Sequence, residues 1–87
     1  MHSNNIENEY LNIMKEMEIA EEPTELYKLL KFEGLVSSGG EAKLVIANGQ
    51  VLVNGEVETR KRKKVVSGDI ISFGQEKLRI LFDKQKK

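Results

Sequence analysis

Between Ser37 and Lys64 the chain reads SSGGEAKLVIANGQVLVNGEVETRKRKK, and its tightest restriction is the pair Asn54-Gly55. A two-residue hairpin turn of the favoured hand needs positive φ at both central positions, which asparagine tolerates and glycine adopts freely. Val51 and Val53 alternate with Gln50 and Leu52 before that pair, and Val57 and Thr59 follow it, so the segment predicts two antiparallel strands. Upstream, Ser38 stands three residues before Glu41. In that pattern the serine oxygen and the glutamate carboxylate each accept one orphaned backbone N–H at a helix start. The helix should begin at Gly39 and stop at Asn48-Gly49, where glycine can close the last turn in the left-handed conformation. Ala42, Val45 and Ile46 share one face of it and read as core.

Two glycines in its first turn, Gly39 and Gly40, each lower helix propensity by roughly 1 kcal/mol against alanine. Bare backbone there lets a phosphate approach the exposed N–H groups, or it makes room for a crossing chain; both readings stand. Beyond the hairpin come five uninterrupted cations, Arg60, Lys61, Arg62, Lys63 and Lys64. An isolated basic run is usually a solvated loop. This one is anchored by a strand before it and by Val65-Val66 after it. Positive charge concentrated on an anchored element suits the phosphate backbone of a nucleic acid.

Net charge does not reveal this, because 14 Lys and Arg balance 14 Asp and Glu. The distribution does. Residues 1–33 hold three lysines against eight glutamates, a net of −5, and residues 34–87 hold eleven cations against six acids, a net of +5.

The ordered signals SGGEAK, GQVLVNGEVETRKRKKV and GDII resemble the small RNA-binding domain named after the fourth protein of the ribosomal small subunit. The resemblance covers about Leu26 to Phe82, and ETRKRKK with the SGGxAK helix start is most similar to the stand-alone bacterial members of the YbcJ and YaaA type. It implies an α+β fold in which two short helices pack on a small, mostly antiparallel sheet, the arrangement called the αL motif. It also implies a surface along the helix pair and the adjoining hairpin that holds structured RNA, ribosomal or transfer RNA, with the ribosome or its precursors as the setting. On this chain that surface would comprise Ser38, Gly39, Gly40 and Lys43 beside Arg60, Lys61, Arg62, Lys63 and Lys64. Many ribosomal members carry arginine where this chain has Gly39.

The remaining segments divide the chain into an acidic extension at residues 1–16, the domain at 17–83 and a charged tail at 84–87. Ile6, Tyr10, Ile13, Met14 and Met17 fall on one helical face, so the extension reads as a short amphipathic helix. Met17–Glu22 reads as an edge strand ended by Pro23. Thr24 reads as the cap of a first helix with Leu26, Leu29 and Leu30 buried and Phe32 covering one flank. After the basic run, Ser67-Gly68-Asp69 makes a turn, and Ile70 to Phe73 and Leu78 to Phe82 make the last strands. Asp69 should make local backbone bonds.

The chain has no cysteine and one histidine, His2, so disulfides, thiolate ligands and a structural zinc are not expected, nor any other cofactor. With carboxylates mostly on solvated helix faces it reads as non-catalytic. It has neither a membrane-length apolar run nor a signal-peptide pattern, which points to a cytoplasmic protein with no membrane partner, and no exposed apolar stripe beyond the N-terminal helix, which points to a monomer. The aromatics Tyr27, Phe32, Phe73 and Phe82 sit where the core pattern wants them, leaving no base-stacking ladder. Recognition should then work by shape and phosphate, with Arg60 and Arg62 as forked contacts and Lys43, Lys61, Lys63 and Lys64 as less directional charges. Two alternatives stand beside this reading. One is an adaptor acting through the acidic N-terminal helix, and the other is a nonspecific nucleic-acid binder.

Overall fold

The computed structural model describes residues 14–82. Strands β1 (Met14–Glu18) and β2 (Thr24–Glu25) precede helices α1 (Leu26–Phe32) and α2 (Gly39–Ala47). Strands β3 (Val51–Val53), β4 (Glu56–Val57), β5 (Lys64–Val65), β6 (Ile70–Phe73) and β7 (Glu76–Leu81) follow. Five strands form one sheet in the order β1-β7-β6-β3-β4, and β2 pairs with β5 in a separate two-stranded ladder. Only β1 with β7 is parallel, so the α+β, mostly antiparallel reading describes the architecture.

The hairpin forms as the dipeptide requires, with φ of 54° at Asn54 and 85° at Gly55. Asn54 also ties the turn to β6. Its Nδ2 donates to Asp69 Oδ1 at 3.0 Å and its Oδ1 accepts from the Ile70 N–H at 2.9 Å. Asp69 Oδ2 accepts from the Val66 N–H, the local backbone bond expected of it. The return strand stops at Val57, short of Thr59: the Glu58 N–H still donates to the Val51 carbonyl at 2.9 Å, and beyond it the Arg60 N–H donates to the Glu58 carboxylate instead of to β3.

Helix α2 starts at Gly39 with Ser38 Oγ accepting from the Glu41 N–H at 3.1 Å. The reciprocal half of the expected box is shifted by one residue, since the Glu41 carboxylate accepts from the backbone N–H and hydroxyl of Ser37 rather than from Ser38. Those bonds, the backbone one first, pull the Glu41 carboxyl below its ordinary value. Loss of the cap in Ser38→Ala is expected to cost about 1 kcal/mol. That corresponds to a melting temperature lower by about 4–8 °C in a thermal unfolding scan.

Three expectations need correction. Residues 14–16, placed in a helical extension, belong to β1, which runs beside β7 from Met14 opposite Lys77 to Glu18 opposite Leu81. The edge strand thus begins three residues before Met17 and ends before Glu22. Met14 and Met17, three residues apart, fit a helical period and not the alternation of a strand, and pairing with β7 overrides that local pattern. The rest of the proposed N-terminal helix, and the adaptor reading built on it, fall outside the described residues. Thr24 is not a helix cap: it is buried in β2 opposite Val65, and its hydroxyl donates to the Glu21 carbonyl at 2.6 Å. Phe32 does not cover the core but stands 67% exposed at the end of α1.

The core lies between the two helices and one face of the sheet. Leu26, Leu29 and Leu30 of α1 and Ala42 and Ile46 of α2 meet Val51, Ile71, Leu78 and Ile80 of the sheet, all fully buried. Tyr27, Phe73 and Phe82 pack against its margin.

Candidate nucleic-acid interface

The loop carrying the basic run is fastened through its backbone. The N–H groups of Leu26 and Tyr27 donate to the carbonyls of Lys63 (2.9 Å) and Lys61 (3.0 Å), so the first turn of α1 spends its otherwise unpaired donors on this loop. A side-chain cap is therefore unnecessary, and none is present. The Lys63 N–H closes a turn onto the Arg60 carbonyl, and β5 locks the far end to β2 with Lys64 opposite Glu25. Arg60, Lys61, Arg62 and Lys64 remain exposed. With Lys43 and Ala47 of α2, the cations of residues 60–64 line one open groove of about 690 Å³.

Tyr27 stands where α1, α2 and the loop meet. Lys43 Nζ lies 4.8 Å and Arg62 Cζ 5.9 Å from the centre of its ring, both within cation–π reach. The Gly39 backbone borders the same ring, since a Cβ at Gly39 would sit 4.0 Å from Tyr27 Cε2. A Cβ at Gly40 would meet nothing closer than Ser38 Oγ at 3.9 Å. Both are ordinary contacts, so no crossing chain requires either glycine. The structure thus brings Gly39, Lys43 and Arg62 to Tyr27, with Ser38 and Gly40 at the same helix end and the rest of the basic run along the adjoining groove.

The two arginines differ. Arg60 is already forked: its Nε and Nη2 donate to the two Glu58 oxygens at 2.8 and 3.0 Å. Only the outer edge of that guanidinium is left for another acceptor. The side-chain bond from Arg60 is the main reason the Glu58 carboxyl drops from 4.5 to about 2. Arg62 has a looser acidic neighbour, Glu25, at 3.8 Å. Because the folded-state value of Glu58 is depressed, whatever stability the fork gives is present above pH 4.5 and lost as pH falls through about 2. A carbon-13 NMR titration of the Glu58 carboxyl should show a midpoint near 2 that returns toward 4.5 in Arg60→Ala. A midpoint unmoved by the substitution would assign the shift to another cause.

Tyr27, Glu25 and Glu58 were not singled out from the sequence. Glu58 had a legible signal, since residues two apart on an extended segment project to the same side and place its carboxylate beside Arg60. Among the described residues no group of three or more histidines and acids could hold a metal ion.

The sequence pattern of the S4 domain matches residues 17–81. The chain belongs to the S4 domain family. Within that family it is 51% identical over 57 residues to YbcJ of Escherichia coli K12, a protein named for a proposed RNA-binding role; the match spans 66% of this chain and 81% of YbcJ. It is 35% identical over 48 residues to RlbA of Bacillus subtilis 168, named for a proposed part in ribosome maturation, across 55% of this chain and 68% of RlbA. The solution structure of E. coli YbcJ, described as having an αL motif involved in RNA binding, superimposes with a TM-score of 0.58 at 42% identity. That superposition covers 79% of this chain and 86% of YbcJ. The S4 domain here thus has its helix pair and hairpin in the αL arrangement, with the cationic groove at their junction.

Proposed function

We propose that this protein is a non-catalytic module that binds folded RNA, ribosomal or transfer RNA, through the groove between α2 and the basic loop. The observation that carries the reading is that the run of five consecutive cations is fastened to α1 through the backbone carbonyls of Lys61 and Lys63, with Lys43 lining the same groove. A solvated basic loop would have to be ordered on binding, whereas this one meets a phosphate surface already shaped. The names of YbcJ and RlbA support RNA as the ligand class and the ribosome or its precursors as the setting. The protein acts as a monomer, and Arg62 with the loop lysines makes most of the phosphate contacts, because Glu58 occupies one edge of Arg60.

Fluorescence anisotropy with a labelled RNA stem-loop tests this. If about four phosphates are neutralised, log affinity falls by roughly 0.7 to 0.9 per phosphate per decade of salt. Raising salt from 50 to 200 mM then weakens binding about 50- to 150-fold. A DNA hairpin of matched length should compete poorly. Equal competition would reduce the groove to a general phosphate attractor, and no binding at 50 mM would overturn the reading.

A further inference from the structure

Two devices hold cations in this groove, and they leave different amounts of charge for a ligand. Glu58 holds Arg60 by cancelling it, a fork of two bonds at 2.8 and 3.0 Å that also uses one edge of the guanidinium. Tyr27 holds Lys43 and Arg62 through a neutral ring, at 4.8 and 5.9 Å, which restrains both side chains without cancelling charge, and the one acid beside Arg62, Glu25 at 3.8 Å, makes no fork with it. Lysine and arginine lose rotamer entropy when a ligand orders them, so a restraint that costs no charge improves their use by a bound anion. Tyr27 is itself anchored. Its backbone N–H is bonded to the Lys61 carbonyl, and its body packs against the core. Lys43 comes from α2 and Arg62 from the loop, so this one ring touches a cation from each of the two segments that line the groove.

We propose that Tyr27 is a positioning residue that makes Lys43 and Arg62 act as one coupled cation pair on neighbouring phosphates of a single RNA strand. The inference rests on the RNA-binding reading above. It assigns Tyr27 a role that does not require base stacking: the ring arranges charge and does not read bases. It also separates Arg62, coupled across the groove, from Arg60, coupled only to its own strand end.

A double-mutant cycle tests it. Affinity for the RNA stem-loop is measured for Lys43→Ala, Arg62→Ala and both together, first with Tyr27 and then in a Tyr27→Leu background, at a temperature where circular dichroism shows each variant folded. With Tyr27 present, the double substitution should deviate from the product of the single effects by about threefold or more, as groups sharing one partner do. With leucine the effects should become multiplicative, and Tyr27→Phe should restore the coupling. A purely structural Tyr27 would lower affinity or melting temperature and leave the deviation unchanged, which would overturn the proposal. Multiplicative effects already present with Tyr27 would overturn it too, while RNA binding itself survived. A wild-type protein that does not bind the stem-loop would remove both readings together. As a check free of RNA, the methylene protons of Lys43 should lose their ring-current shift in Tyr27→Leu and keep it in Tyr27→Phe.

Discussion

Replacing Lys61 and Arg62 with glutamate should weaken RNA binding by at least about 100-fold at 50 mM salt without unfolding the protein. Each hydrogen bond to a charged group contributes about 1.5–3 kcal/mol, so losing two gives a loss of about 10²- to 10⁴-fold before any repulsion is added. The salt dependence should fall in step, by roughly 0.7 to 0.9 in the log–log slope for each phosphate contact removed. Stability should barely change. Both side chains are exposed, and the 3.8 Å contact of Arg62 with Glu25 belongs to the class of surface pairs worth about 0–1 kcal/mol. The loop keeps its shape because its fastening runs through backbone carbonyls, which the substitutions leave in place. Lys77→Glu with Arg79→Glu is the matching control, since it makes the same change of net charge at exposed positions of β7 that do not line the groove. An equal loss in the control would mean that RNA is drawn to the whole molecule and not to this groove.

The parts of the fold that could be read in advance are those in which a short segment decides its own conformation. Asn54-Gly55 forces its turn, and Ser38 caps α2 by accepting from the Glu41 N–H three residues on, so both appear where the sequence placed them. Segments whose conformation is decided by a distant partner were misread. Residues 14–16 carry no local preference strong enough to oppose pairing with β7, some sixty residues on. Thr24 has the chemistry of a helix cap, yet the N–H groups it would have satisfied are taken by carbonyls of the basic loop. The same exchange explains why the site was only half legible. The cations are a contiguous run in the sequence, but the groove exists because α1 turns its first donors toward that run, and the pattern of apolar residues does not encode this. Phe32 and Tyr27 illustrate the limit from the other side. Both flank the Leu26, Leu29, Leu30 stripe, yet one ends up exposed and the other beneath two cations.

Leu26 is where core and interface meet, and Leu26→Ala should destabilise the protein by about 2–5 kcal/mol, the range for removing a fully buried leucine. A domain of this size loses about 4–8 °C of melting temperature per kcal/mol, so the midpoint should fall by about 10 °C or more. The damage should extend beyond a cavity. The backbone N–H of Leu26 holds the Lys63 carbonyl, and the residue directly follows the β2 strand that pairs with β5, so loosening it frees both attachments of the basic loop. Hydrogen exchange should therefore quicken at Tyr27 and Val65 as well as within α1. Leu44→Ala, at a position 59% exposed on α2, should stay within about 0.5 kcal/mol. Saturating RNA should return part of the lost stability, about 2.7 kcal/mol at a free concentration 100 times the dissociation constant, because it binds only the folded form. If Leu26→Ala melted early while RNA gave no such recovery, the variant would still fold but without a formed groove. In that case the loop would depend on α1 for its shape while the remainder of the core would not depend on the loop.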